Sequence, residues 1–210
     1  MKQIDKTITG YYYCLAINKG QDMSIMLKKL DFRVFIKNGA ELYRLLDTNR
    51  NNLTPWFWWA GDRKTSTKFR FCWFMILLLA DAKRKEIAHK INSEHLYDEI
   101  FCVYNNKGQI GGICGLDDID ITKEKSAEFW GFAFKGNKET IESVKILENY
   151  CVETLGLKSI YAEVQSDNMP SRLFWKRYGY DNRSLARRVL TSNNRPKFTD
   201  IYTYTKYLSR

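Results

Sequence analysis

Between Ala127 and Tyr180 the sequence switches repeatedly between strand-like and helix-like patterning, and that succession limits what the chain can fold into. Ala127-Glu128-Phe129-Trp130-Gly131-Phe132-Ala133-Phe134 has strand character, and Lys135-Gly136-Asn137-Lys138 is a short polar loop. An amphipathic helix follows and closes on Leu155-Gly156-Leu157. Ser159 to Gln165 predicts a second strand, and Asp167-Asn168-Met169-Pro170-Ser171 opens a last short helix. Strand, loop, helix, strand and helix in that order can hold a phosphate-bearing ligand at a helix N-terminus between two strands.

The flanking sequence supplies the rest of an α/β domain. Residues 1–22 read as an N-terminal extension and 23–210 as a single domain, consistent with 210 residues, 44% of them hydrophobic and only three of them proline. Phe32 to Ile36 is strand-like and leads to Asn38, an expected N-cap, and a helix with Leu42, Leu45 and Leu46 on one face. The aromatic segment Leu53-Thr54-Pro55-Trp56-Phe57-Trp58-Trp59 either packs under the core or lines a binding cleft. In the second case Trp56 and Trp58 are the substrate-contacting residues. A second helix is predicted from about Thr67 to Lys90, followed by strands over Glu99 to Tyr104 and Gln109 to Leu116, joined at Asn105-Asn106-Lys107-Gly108. Asp117-Asp118-Ile119-Asp120 reads as a solvated acidic turn, lacking the ligand spacing of a calcium loop. Two closing strands are expected over Tyr180 to Leu190 and Phe198 to Leu208.

Charge and cysteine content narrow the setting. Thirty-four Lys and Arg against twenty-four Asp and Glu give a formal +10, which favours encounter with anionic partners, a nucleotide cofactor, RNA or a ribosomal surface. The same excess is compatible with a solvated skin of lysines. Five scattered cysteines without a Cys-x-x-Cys pair read as free thiols in a reducing cytoplasm. His89 and His95 do not have the spacing of a helical zinc pair, so no metal is expected. The longest apolar run, Phe71 to Ala80, is half of the roughly 20 residues a membrane span needs, so no membrane partner is expected.

Several of these residues together resemble the GNAT superfamily of N-acetyltransferases, and within it the RimJ/RimL group that acetylates N-terminal amines of ribosomal proteins. The resemblance runs over about residues 27–205. It rests on Asn49-Arg50 with Leu53 and Trp56, on Ile110-Gly111-Gly112-Ile113, on Ala127-Glu128, and most of all on Leu155-Gly156-Leu157, Val164, Asn168, Ser171 and Gly179-Tyr180. It implies a three-layer fold with a central mixed, splayed, mostly antiparallel sheet of about seven strands flanked by helices. It also implies acetyl-CoA as co-substrate, wedged between the fourth and fifth strands.

By the same resemblance, the pantetheine pairs with the backbone of Phe132, Ala133 and Phe134. The pyrophosphate sits on the N–H groups of Lys135, Gly136, Asn137, Lys138, Glu139 and Thr140, and Asn168 touches the cofactor near the fifth strand. Glu128, beside the expected thioester, is the candidate base, with a surface strand carboxylate as the alternative. Many GNAT enzymes place a tyrosine acid seven residues after the position of Asn168, but here that residue is Trp175. Ser171 takes the acid's role by resemblance to the RimL group, unless it simply caps the helix that starts there. The family's Gly-rich pyrophosphate loop is reduced to Gly136, with Lys138 where a second glycine is usual. The expected activity is acetyl transfer to an amine of a protein, ribosomal or RNA-associated, and a homodimer is compatible with the group. The shortened loop raises a second expectation, a GNAT domain that binds protein or RNA without turnover. Acetylation of aminoacyl-tRNA is a third.

Overall fold

A computed structural model describes residues 25–53, 67–133, 137–192 and 195–208. The chain order is β1 (Ile25–Lys29), α1 (Phe32–Leu53), α2 (Lys68–Ile91), β2 (Tyr97–Asn105), β3 (Ile110–Asp120), β4 (Ser126–Ala133), α3 (Asn137–Glu153), β5 (Ser159–Gln165), α4 (Met169–Arg177), β6 (Asp181–Ser192) and β7 (Arg195–Tyr207). Among the described residues the strands form one sheet of seven in the order β1-β2-β3-β4-β5-β7-β6. Among the described strands every pairing is antiparallel except that of β4 with β5. The expected mixed, mostly antiparallel sheet flanked by helices is therefore present, and the expected extension over residues 1–22 lies outside the described residues.

Alternation along the strands sorts side chains into two layers. Ala127 and Phe129 of β4 and Ile160, Ala162 and Val164 of β5 are buried against Val144, Leu147, Tyr150 and Cys151 of α3 and Trp175 of α4. On the opposite face Ile100, Cys102, Tyr104, Ile110 and Ile113 are buried against α1 and α2. Those two helices meet through Phe71, whose ring lies 6.4 Å from Phe35 and 5.7 Å from Tyr43. They pack over β2 and β3.

Two local expectations change. Phe32 to Ile36 is the start of α1 and not a strand, because Asp31 caps the helix: its Oδ1 accepts from the Val34 N–H at 2.8 Å, and its carbonyl from Phe35. Asn38 is consequently inside the helix, its Nδ2 donating to the Val34 carbonyl. Asp117-Asp118-Ile119-Asp120 is not a solvated turn but the end of β3, with Ile119 fully buried. Asp118 takes a positive φ of 51° where the β3–β4 register shifts. That bulge re-aims the chain without ending the strand.

The end of α4 shows how the Gly179-Tyr180 motif works. Gly179 has φ +79°, the Tyr180 N–H reaches back to the Trp175 carbonyl at 3.0 Å, and the Trp175 and Tyr180 rings pack 4.6 Å apart. This is a Schellman closure with its apolar contact. It carries the chain straight into β6. The Tyr180 hydroxyl donates to Glu148 of α3, which also accepts from Lys206 of β7, so α3, α4 and β7 are tied together behind β5.

Tight packing in the middle of the sheet gives a stability prediction. A Cβ on Gly131 would stand 2.6 Å from the Cβ of Cys114 and 3.1 Å from its Cα, so β3 and β4 would have to move apart. Gly131→Ala is expected to cost about 1–3 kcal/mol of unfolding free energy in urea titration, the usual penalty of overpacking a filled core.

Candidate active site

The site begins where sheet pairing stops. β4 and β5 run parallel and pair at Ser126 with Ser159, Ala127 with Ile160 and Glu128 with Tyr161, and no further. Beyond that last rung residues 129–133 of β4 and 162–165 of β5 have no partner in each other, and the two strands part into a wedge. Backbone groups along such an edge require a partner from elsewhere. α3 starts at Asn137, four residues after β4 ends, so its N-terminus stands at the open end of the wedge. The first N–H groups of a helix lack internal acceptors and carry the positive end of its dipole, which suits an anion.

The predicted site residues distribute around this wedge. Glu128 stands at its closed end, half-buried, on the sheet face that carries α1 and α2. Ala133 and Phe132 form the end of β4 along its edge. Asn137, Lys138, Glu139 and Thr140 lie in the first turn of α3, so Asn137 and Lys138 are helical and not part of a loop. Phe134, Lys135 and Gly136 lie outside the described residues, as do Trp56 and Trp58. Asn168 caps α4, its Oδ1 accepting from the Ser171 N–H at 3.2 Å. Ser171 is therefore not the cap. It lies four residues before Trp175, on the same stripe of α4 and about 6 Å nearer the open end of the wedge.

Trp175 is buried, with its ring edge-on to Phe129 of β4 at 5.2 Å and to Phe174 at 5.1 Å. The position where the family's tyrosine is expected thus serves as an aromatic wedge between α4 and β4, on the face of the sheet opposite to Glu128. The structure does not bring Ser171 and Glu128 to the same face.

Residues that periodicity alone did not single out complete the closed end. Cross-strand register places Asp117, Glu128, Tyr161 and Thr205 in one row on the α1/α2 face. The Trp130 ring, from the next outward position of β4, lies over Gly115, where an added Cβ would meet it at 2.5 Å. Its Nε1–H donates to Asp117 at 2.6 Å. Burial pushes the Asp117 carboxyl up to about 6, the Trp130 hydrogen bond opposes this, and the charge of Asp98 adds to it. Burial and then the Glu128 carboxylate, with Asp118, Glu163 and Asp117 behind it, push the Tyr161 phenol up to about 12. The signal that could have found these residues is the pairing register, which no local pattern specifies.

The remaining candidates carry structural roles. Among the described residues no group of His, Cys, Asp and Glu could hold a metal ion. His89 donates from Nδ1 to the His95 carbonyl at 2.7 Å and packs on Tyr97. Cys102, Cys114 and Cys151 are buried free thiols, and burial raises each above its ordinary value. Among the described residues no helix is long and apolar enough to cross a membrane.

Comparison with known proteins agrees with this geometry. The acetyltransferase (GNAT) domain family matches residues 79–197. The chain belongs to the GNAT acetyltransferase family. No curated protein sequence matches it. Among solved structures it is similar to RimJ of Mycobacterium smegmatis in complex with CoA-disulfide, at 16% identity and a TM-score of 0.69, covering 87% of this chain and 81% of that one. It is also similar to the ribosomal L7/L12 α-N-protein acetyltransferase RimL in complex with coenzyme A, at 13% identity and a TM-score of 0.68, covering 89% and 95%. A third is the microcin C7 self-immunity acetyltransferase MccE in complex with acetyl-CoA and AMP, at 18% identity and 0.68, covering 88% and 93%. At these identities the shared feature is the fold.

Asp117 gives a prediction whose sign follows from its position. Its folded carboxyl holds a proton more tightly than the unfolded one, so its contribution to stability falls as pH rises from about 4 through 6. Asp117→Asn keeps an acceptor for Trp130 and removes the buried charge. Thermal unfolding should show this variant more stable than wild type at pH 7, with the difference shrinking towards pH 4.

Proposed function

We propose that this GNAT protein transfers an acetyl group from acetyl-CoA to an amine on a protein, an N-terminal amine above all, in the manner of the RimJ and RimL enzymes. The observation that carries the reading is the wedge: a strand edge left unpaired after Glu128, leading to a helix N-terminus four residues past the end of β4. The backbone of Phe132 and Ala133 at the end of β4 offers pantetheine an added-strand partner, and the N–H groups of Asn137, Lys138, Glu139 and Thr140 in the first turn of α3 offer pyrophosphate a cradle. Asn168, the cap of α4 three residues past β5, borders the other side.

Acetyl-CoA supplies an activated thioester, so the protein needs no covalent intermediate of its own. Holding a neutral amine against the carbonyl provides much of the acceleration. Glu128 takes the amine's proton, directly or through water, from the α1/α2 face of the sheet. Ser171, four residues before Trp175 on α4, is a hydroxyl that the opposite face of the sheet offers for the departing sulfur. A protein acceptor in an anionic setting such as the ribosome is supported by the formal +10 charge, which favours encounter with such surfaces.

Calorimetric titration with acetyl-CoA tests the cofactor assignment; no heat of binding at millimolar ligand would overturn it. With labelled acetyl-CoA and purified ribosomes, label should appear on protein N-terminal amines, and Glu128→Gln should bind acetyl-CoA like wild type while transferring roughly 10²-fold more slowly. Label appearing only on small polyamines would contradict a protein acceptor.

A further inference from the structure

The departing sulfur needs a proton, and the layer that usually supplies a phenol offers Trp175, an indole buried against Phe129. A phenol does border the wedge, but from β5. Tyr161 is the last residue of β5 to pair with β4, opposite Glu128. In a parallel pair, register partners project to the same face, on strands about 4.8 Å apart, so a carboxyl and a phenol there are within reach of each other. Both are half-buried, and both stand where the strands begin to part. Ser171, by contrast, belongs to α4 on the opposite face, so a proton taken by Glu128 would have to cross the sheet to reach it.

Resting on the acetyl-transfer reading above, we propose that Tyr161 closes the proton circuit of the reaction: it receives the proton Glu128 takes from the amine and passes its own hydroxyl proton to the leaving sulfur. Atoms and electrons balance without another reactant. The amine nitrogen bonds to the carbonyl carbon, the carbon–sulfur bond breaks with its electron pair going to sulfur, and the amine's proton ends as the thiol proton. Glu128 and Tyr161 finish as they began.

The charged groups around the hydroxyl suit a relay. Glu128 on β4, Asp117 and Asp118 on β3 and Glu163 on β5 all disfavour the phenolate. A phenol in such company resists taking a negative charge near neutral pH, which favours giving up one proton as it gains another. That couples protonation of the sulfur to the protonated state of Glu128. Asp98 and Lys85 stand one layer further out, hydrogen-bonded to each other at 2.6 Å.

Two measurements decide the matter. In the free protein labelled with [ζ-13C]tyrosine, the NMR line that disappears in Tyr161→Phe should stay at its phenol position through about pH 11, and should titrate at lower pH in Glu128→Gln. A line that titrates near 10 and ignores Glu128→Gln would show that the two groups do not face each other, and would overturn the inference without touching acetyl transfer. In transfer to ribosomal proteins, Tyr161→Phe should lower kcat roughly 10²-fold with acetyl-CoA affinity by calorimetry unchanged. The double variant Glu128→Gln/Tyr161→Phe should be no slower than the slower single one, as for groups acting as a unit. If Ser171→Ala slows transfer and Tyr161→Phe does not, the proton comes from α4 and the inference fails while the function stands. A wild type that binds no acetyl-CoA, or binds without transferring, overturns the reading on which the inference rests.

Discussion

Three backbone rungs hold β4 to β5, and the point at which they stop shapes the whole molecule. A sheet interrupted at its centre leaves two edges of N–H and C=O groups facing a gap, and such edges invite an extended partner. The protein keeps the gap open by bracing the strands from elsewhere. β4 is paired along its length with β3, and β5 with β7. Behind them Trp175 separates α4 from β4 by edge-on contact with Phe129, while Glu148 gathers Tyr180 and Lys206. The wedge is thus a property of the frame, and the helix N-terminus at its mouth results from the brevity of the β4–α3 connection.

Charge is sorted in relation to that wedge. The chain as a whole is strongly basic, yet the row at the closed end, with its neighbours, is carboxylate-rich: Asp117, Asp118, Glu128 and Glu163 all act on the Tyr161 hydroxyl. Cations at the surface favour approach to anionic surroundings, while the carboxylates at the closed end of the wedge favour a cationic group there. The two fields operate at different ranges and do not conflict, since exposed charges are screened within about 10 Å at ordinary salt.

Much of this frame is legible in the residues alone. From Ala127 to Tyr180 the alternation of period is clean, and the predicted strands and helices fall within a residue or two of the observed ones. Phe32 to Ile36 misled because β-branched and aromatic residues suit a strand, whereas the Asp31 cap and the room that Gly39 leaves for the Phe35 ring favour a helix. Asp117 to Asp120 misled because three carboxylates look solvated, while a bulge at Asp118 buries Ile119 and turns Asp117 towards Trp130. Resemblance singles out Glu128 but not Tyr161. The chemistry of that tyrosine depends on which β4 residue stands opposite, and register is a tertiary fact that alternation within one strand does not encode.

Everything proposed for the wedge depends on whether the edge of β4 beyond Glu128 receives a ligand. Hydrogen–deuterium exchange of the full chain, measured with and without saturating acetyl-CoA, reads that edge directly. New protection is predicted at amides of residues 129–133 and in the first turn of α3, with the β2–β3 and β6–β7 pairings unchanged. Acetyl-CoA that leaves the exchange of residues 129–133 unaltered, or protects only some other surface, would contradict it.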